Sequence, residues 1–155
     1  MNSKLKQTLF ILAIALFLVV IFLVLAGGKE KENITVVNIR DVEVPVVVRR
    51  TPEELRQGLS GTKSLADNAG MLFVMPEKAR HSFWMPNMNF PLDLVWITGG
   101  RVVDITADVP NSFDPEHPIV YRPEVPVDYV LEVNAGFMAR HGLKEGDEVE
   151  LVGVE

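Results

Sequence analysis

Every one of the 18 positions from Leu9 to Ala26 is apolar, whereas beyond Asn33 apolar side chains fall into short runs broken by Gly, Pro or charge. As a helix rising about 1.5 Å per residue, the first segment would reach about 27 Å, the thickness of one hydrocarbon core, and Gly27 and Gly28 can extend it. Lys4 and Lys6 stand before it, while Lys29 and Lys31 behind it alternate with Glu30 and Glu32. That bias predicts a cytoplasmic stretch over residues 1–8, a single-pass anchor over 9–28 in the cell membrane, and an extracytoplasmic remainder. A cleaved secretory signal is the competing reading, because Val24 and Ala26 are small enough to precede a cut at Gly27. The apolar run exceeds the roughly 7–15 residues of a signal core, which favours a retained anchor. Residues 29–36 then form a charged linker, and 37–155 the outer domain.

Within that domain the β-branched runs Ile34–Ile39 and Val42–Val48 read as strands, with Pro45 marking the second as an edge or a bulge. Thr51, Pro52 and Glu54 open a short helix with capping-box spacing, ending near Gly58. Gly70–Val74 and His81–Met85 read as two more strands joined by a turn at Pro76 and Glu77. Leu92–Thr98 and Arg101–Thr106 flank Gly99 and Gly100, which predicts a tight hairpin. Residues 108–126 hold five prolines and predict a long loop with one extended piece at Ile119–Tyr121. Val127–Val133, a helical turn over Ala135–His141 and a last strand over Asp147–Val152 complete the pattern. The fold class expected is mainly β: a small antiparallel sandwich or barrel with one or two short helices.

Composition narrows the chemistry. The 155 residues include no cysteine, which removes disulfide scaffolds, thiol nucleophiles, iron–sulfur clusters and cysteine-based lipid anchors. Of the 15 Lys and Arg only Lys4 and Lys6 precede the apolar segment, so thirteen face all 21 Asp and Glu in residues 29–155, a net of −8. An acidic domain disfavours nucleic acid, whose phosphates are bound by Lys and Arg. There is no phosphate-binding glycine loop or dinucleotide fingerprint, and no cofactor is expected. The partners expected are the membrane, through 9–28, and a small ligand or an envelope protein.

The blocks Arg56-x-Gly58-Leu59-Ser60, Gly70 to Phe73, Phe83-Trp84-Met85-x-Asn87, Pro91-Leu92-Asp93, Gly100 to Ile105, Tyr129 to Gly136 and Gly142 to Asp147 occur in one order. In this they closely resemble the domain of unknown function 192 family, over roughly residues 37–152. The resemblance implies a small β-rich domain, often exported behind a signal or anchor, with no established activity. Many members carry a basic residue where this chain has Thr62 and a threonine where it has Met88. No role at those two positions is carried over.

Two acids conflict with their surroundings. Asp93 lies in a strand whose two faces are otherwise apolar, and Glu132 shares a face with Val130 and Asn134 in another. One reading has them converge on a pocket built from the 83–93 block and the 129–134 strand, with Arg56 or His81 as charge partner and Trp84 as an apolar face. Met85, Asn87 and Asn134 complete the candidate set. The plainer reading is that each acid accepts structural hydrogen bonds. If the pair faced one cleft it could act as the acid and base of a hydrolase. His81, Met85 and Met88, with Trp84 beside them, form a Cu(I)-type donor set, although methionines and aromatics near a proline are more often core. A Ser60, His81, Asp93 trio lacks a nucleophile elbow, His117 stands among prolines, and His141 beside Gly142 suits a helix C-terminus. The preferred function is a ligand- or partner-binding module rather than an enzyme.

Overall fold

The computed structural model describes residues 35–154, so the apolar segment 9–28 lies outside the described residues. No helix among the described residues is long and apolar enough to cross a membrane. The elements are β1 (Val36–Ile39), β2 (Val42–Arg49), α1 (Pro52–Gln57), β3 (Gly70–Ala79), β4 (Leu92–Thr98), β5 (Arg101–Val109), β6 (Val127–Asn134), α2 (Phe137–Arg140) and β7 (Val149–Val152). The seven strands join into one sheet in the order β5-β4-β6-β3-β2-β1-β7. Every neighbouring pair is antiparallel except β2 and β3, which run parallel with α1 in the connection.

This sheet curls as a half-barrel, so the two-sheet sandwich and the all-antiparallel expectation are both corrected. Its outer strands approach each other where Arg101 bridges Glu148, the Val102 N–H donates to the Asp147 carbonyl at 3.0 Å, and the Val149 N–H donates to Gly100 at 2.8 Å. One face of the sheet buries Val37, Ile39, Leu72, Val95, Leu131 and Val133 together with Phe137 and Met138 of α2. The opposite face buries Met71, Phe73, Leu94, Trp96 and Val130 beneath Leu59 and Met85. Both faces are thus covered, which is why β4 reads as an unbroken buried run rather than an alternating one.

Local signals explain most elements. Thr51 Oγ1 accepts from the Glu54 N–H, and Glu54 Oε2 accepts from the N–H groups of Thr51 and Arg50. Those bonds, Thr51 first, hold the Glu54 carboxyl below its ordinary range. Gly99 and Gly100 turn the β4–β5 hairpin at φ 59° and 69°. Pro45 sits where β2 changes partner: Val42–Pro45 pair with β1 and Val46–Arg49 with β3, so each half of the strand is locally an edge. Two expectations fail. β3 runs through Pro76 as far as Ala79 instead of turning there, its ladder to β6 interrupted between Val74 and Ala79. His81–Met85 is no strand; only Phe83 bridges, to Tyr121. A missing proline N–H costs one ladder bond without forcing a turn.

Gly70 is wedged between β2 and β6. A Cβ there would lie 2.8 Å from Leu131 Cδ1 and 2.9 Å from the Glu132 carbonyl oxygen. Because one obstacle is backbone, Gly70→Ala is expected to destabilise the domain by about 2 kcal/mol, read as a lower midpoint in a urea titration. An unchanged midpoint would mean that the β3–β6 pair can open without cost.

Candidate functional site

A cavity of about 190 Å³ opens on the sheet face opposite α2. One wall is α1 and the turn after it, with Leu55, Arg56, Gln57, Gly58, Leu59 and Ser60. Gly58 makes the turn at φ 46°, and a side chain there would come within 3.1 Å of Phe73 Cζ. The other wall is the segment 81–88, and the floor is Phe73, Met75 and Glu132 of the sheet.

Polar bonds hold the two walls together. Ser60 Oγ donates to the Pro86 carbonyl at 2.9 Å, and the Gly61 N–H donates to the Asn87 carbonyl at 2.9 Å. His81 Nε2 lies 2.8 Å from the Glu77 carbonyl, which can only accept, so Nε2 carries the proton. Phe83 stands edge-on between two rings, 5.1 Å from Phe73 and 5.5 Å from Trp96, and anchors the segment to the sheet. Trp84 beside it remains 51% exposed at the rim.

Glu132 is placed by strand register, between Met71 of β3 and Leu94 of β4. It is 6% exposed, and among the described residues its Oε2 has no hydrogen-bond partner. Among the described residues it forms no ion pair with either expected partner: Arg56 pairs with Glu53 at 3.2 Å, and His81 is held by Glu77. Burial alone pushes its carboxyl from 4.5 up to about 8. At neutral pH this acid is therefore mostly protonated.

Asp93 sits elsewhere. It opposes Val133 across β4 and β6, whereas Glu132 opposes Leu94, so the two carboxyls leave opposite faces of the sheet. Fully buried, Asp93 accepts from the N–H groups of Asp108 (2.9 Å), Gly136 (3.1 Å) and Met138 (3.1 Å). It ties the end of β5 to the start of α2. The convergence of Asp93 and Glu132 is thus corrected, and with it the hydrolase that needs them as a pair. Asn134 donates to the carbonyls of Leu65 and Ala66 at 3.1 and 3.2 Å, and Asn87, at φ 54°, contributes its carbonyl to Gly61; neither lines the cavity.

Arg56, His81, Trp84, Met85, Met88 and Glu132 do line it together. Among the described residues there is no cluster of three His, Asp or Glu able to hold a metal ion. His117 is exposed and 3.3 Å from Asp114, and the His141 ring lies 4.4 Å from that of Phe137 at the end of α2. The remaining lining, including Leu55, Gln57, Phe73 and Met75, is not singled out by the sequence. Apolar residues such as Leu55, Phe73 and Met75 look like any core in the sequence, and only the packing of α1 and the 81–88 segment over the sheet makes them a lining.

No curated protein matches the chain. Among the solved structures similar to it are two crystal structures. One, from Sinorhizobium meliloti 1021 and provisionally described as a transcription regulator, is 30% identical, with 77% of this chain and 93% of that one covered at a TM-score of 0.68. The other, a protein of unknown function from Novosphingobium aromaticivorans DSM 12444, is 31% identical, with 76% and 83% covered at a TM-score of 0.66. The model of a family described as Uncharacterized ACR, DUF192, matches residues 35–151, so the chain belongs to the domain of unknown function 192 family.

Proposed function

We propose that this domain is an extracytoplasmic small-ligand-binding module, held at the membrane by residues 9–28, with its ligand in the cavity above Glu132. The observation that carries the reading is the unpartnered Glu132 Oε2 in an otherwise largely apolar lining. A buried polar atom without a bond costs about 1–3 kcal/mol, and a perturbed acid facing a cavity is a common mark of a binding site. The volume exceeds the roughly 150 Å³ of an engineered cavity that accepts benzene, so a ring or a short chain fits. Trp84, half exposed at the rim, supplies a flat apolar face.

Native mass spectrometry of the full-length chain, extracted from its own membrane in a non-ionic detergent, tests this. The expected spectrum shows an intact N-terminus and an added mass of one small organic molecule. Trp84→Ala is expected to lower that occupancy while costing about 1–2 kcal/mol of stability, since about half of the side chain is buried. A bare mass in every preparation would overturn the reading. One added copper ion would transfer it to His81, Met85 and Met88, which share the cavity. A second reading, docking of an envelope protein, is favoured by the exposed Phe113, Ile119, Val120 and Val125 on the 110–126 loop. Its signature would be a co-purified polypeptide instead of a small mass.

A further inference from the structure

We infer that the ligand is a small organic amine, whose ammonium N–H groups are donated to Glu132 and whose apolar body lies against Trp84, Phe83 and the thioethers of Met75, Met85 and Met88. The inference rests on the binding-module reading and adds the chemical class. It follows from which polar groups of the cavity are already engaged. Gln57 Nε2 donates to the Ser60 carbonyl at 2.8 Å, Ser60 Oγ donates to Pro86, and His81 Nε2 donates to Glu77. Ser82 Oγ accepts from Arg122 Nε at 2.8 Å, and the largely exposed Arg56 guanidinium gives one N–H to Glu53. The Ser60 hydroxyl, the His81 Nε2–H and one Gln57 amide N–H are thus turned to carbonyls of the protein itself. What stands free is the buried Glu132 carboxyl, whose Oε2 has no partner among the described residues. A cationic ligand that brings N–H donors pairs with its ionised form through charge as well as hydrogen bonds, whereas a neutral acceptor meets only the single O–H of its protonated form.

The rest of the lining suits a cation on an apolar body. Aromatic faces and polarizable sulfurs attract positive charge in a site shielded from water. The size corresponds to a ring of about benzene dimensions bearing one amine. On binding, Glu132 gives its proton to solvent and the carboxylate pairs with the ammonium, so binding releases one proton. Affinity is therefore expected to rise about tenfold per pH unit below about pH 8, where the free acid holds its proton. The other charged or titratable groups lining the cavity are Arg56 and His81, and their contributions are separable from that of Glu132 by mutation.

Calorimetric titration of the full-length chain in non-ionic detergent with benzylamine and with its neutral analogue benzyl alcohol decides the matter. The expected result is benzylamine binding at least about tenfold tighter near pH 7.5, a preference that grows about tenfold per pH unit from about pH 6.5. Glu132→Gln is expected to erase both the preference and the slope while still binding benzyl alcohol, which also reports an intact fold. His81→Gln is expected to keep the slope. Equal or tighter binding of the alcohol, or a slope that survives Glu132→Gln, overturns the amine and leaves the pocket standing. Failure of both compounds to bind overturns the amine and the pocket together.

Discussion

At about pH 9, Glu132→Gln is expected to stabilise the domain by up to about 5 kcal/mol, whereas near pH 4 the variant and the native chain should melt together. The reasoning starts from burial: the folded state holds the Glu132 proton up to about pH 8, against 4.5 for the ordinary carboxyl. This is the reverse of the usual salt-bridged acid. Below 4.5 both the folded and the unfolded chain are protonated, and nothing is lost. Between 4.5 and about 8 the unfolded chain has released its proton and the folded one has not, so the folded state binds more protons and native stability falls as pH rises. Above about 8 the loss levels off, because both states are then ionised. At about 1.4 kcal/mol per tenfold change in proton affinity, that interval gives about 5 kcal/mol in total. Glutamine keeps the shape and polarity without the ionisation. Thermal melts of the full-length chain and the variant in non-ionic detergent, taken every pH unit from 4 to 9, check this. A difference in melting temperature of about 10–15 °C should open progressively across the series. A difference that stays flat from pH 4 to 9 would mean that Glu132 is solvated or paired in the folded protein.

Asp93 answers in the opposite sense. Asp93→Ala is expected to cost about 3 kcal/mol, since it strands the buried N–H of Met138 and the part-buried N–H groups of Asp108 and Gly136. Asp93→Asn should recover only part of this, because one of its two acceptor oxygens becomes an amide donor facing donors. The loss should appear at neutral pH as a melting temperature lower by about 10 °C, with ligand occupancy of the Glu132 cavity unchanged, because the two acids face opposite sides of the sheet. Retention of the native melting temperature by both variants would show that the link between β5 and α2 is dispensable. Loss of occupancy in a folded Asp93 variant would mean that the two faces are coupled.

These two acids also show how far the sequence could be read. Both stand out as carboxylates within apolar strands, and that conflict is visible without coordinates. Their roles are not. Alternation along one strand tells which neighbours share a face, but not whether position 93 and position 132 share one, because that depends on the register between β4 and β6. One residue of slip would bring them to the same face. The Asp93 partners come from Asp108, Gly136 and Met138, at sequence separations of 15, 43 and 45 that no local pattern encodes. The segment 81–88 carries the aromatic and methionine chemistry in plain view, yet its first part, His81–Met85, reads as a strand and is instead part of a wall anchored by Phe83.

By itself the sequence determined what rests on interactions within a few residues: the Thr51–Glu54 capping box, the Gly99–Gly100 turn, the edge character of β2 at Pro45 and a mainly β chain of short strands. Its motif order over roughly residues 37–152 also pointed to the family, whose model matches residues 35–151. Tertiary structure alone decided the single curled sheet, the parallel pairing of β2 with β3 and the continuation of β3 past Pro76. It decided too that Glu132 is left without a partner at the floor of a cavity while Asp93 is fully bonded on the other side. The reason is physical: the cost of burying a charge and the partner that offsets it are set by strand register and by distant loops, neither of which is a property of the residues beside it.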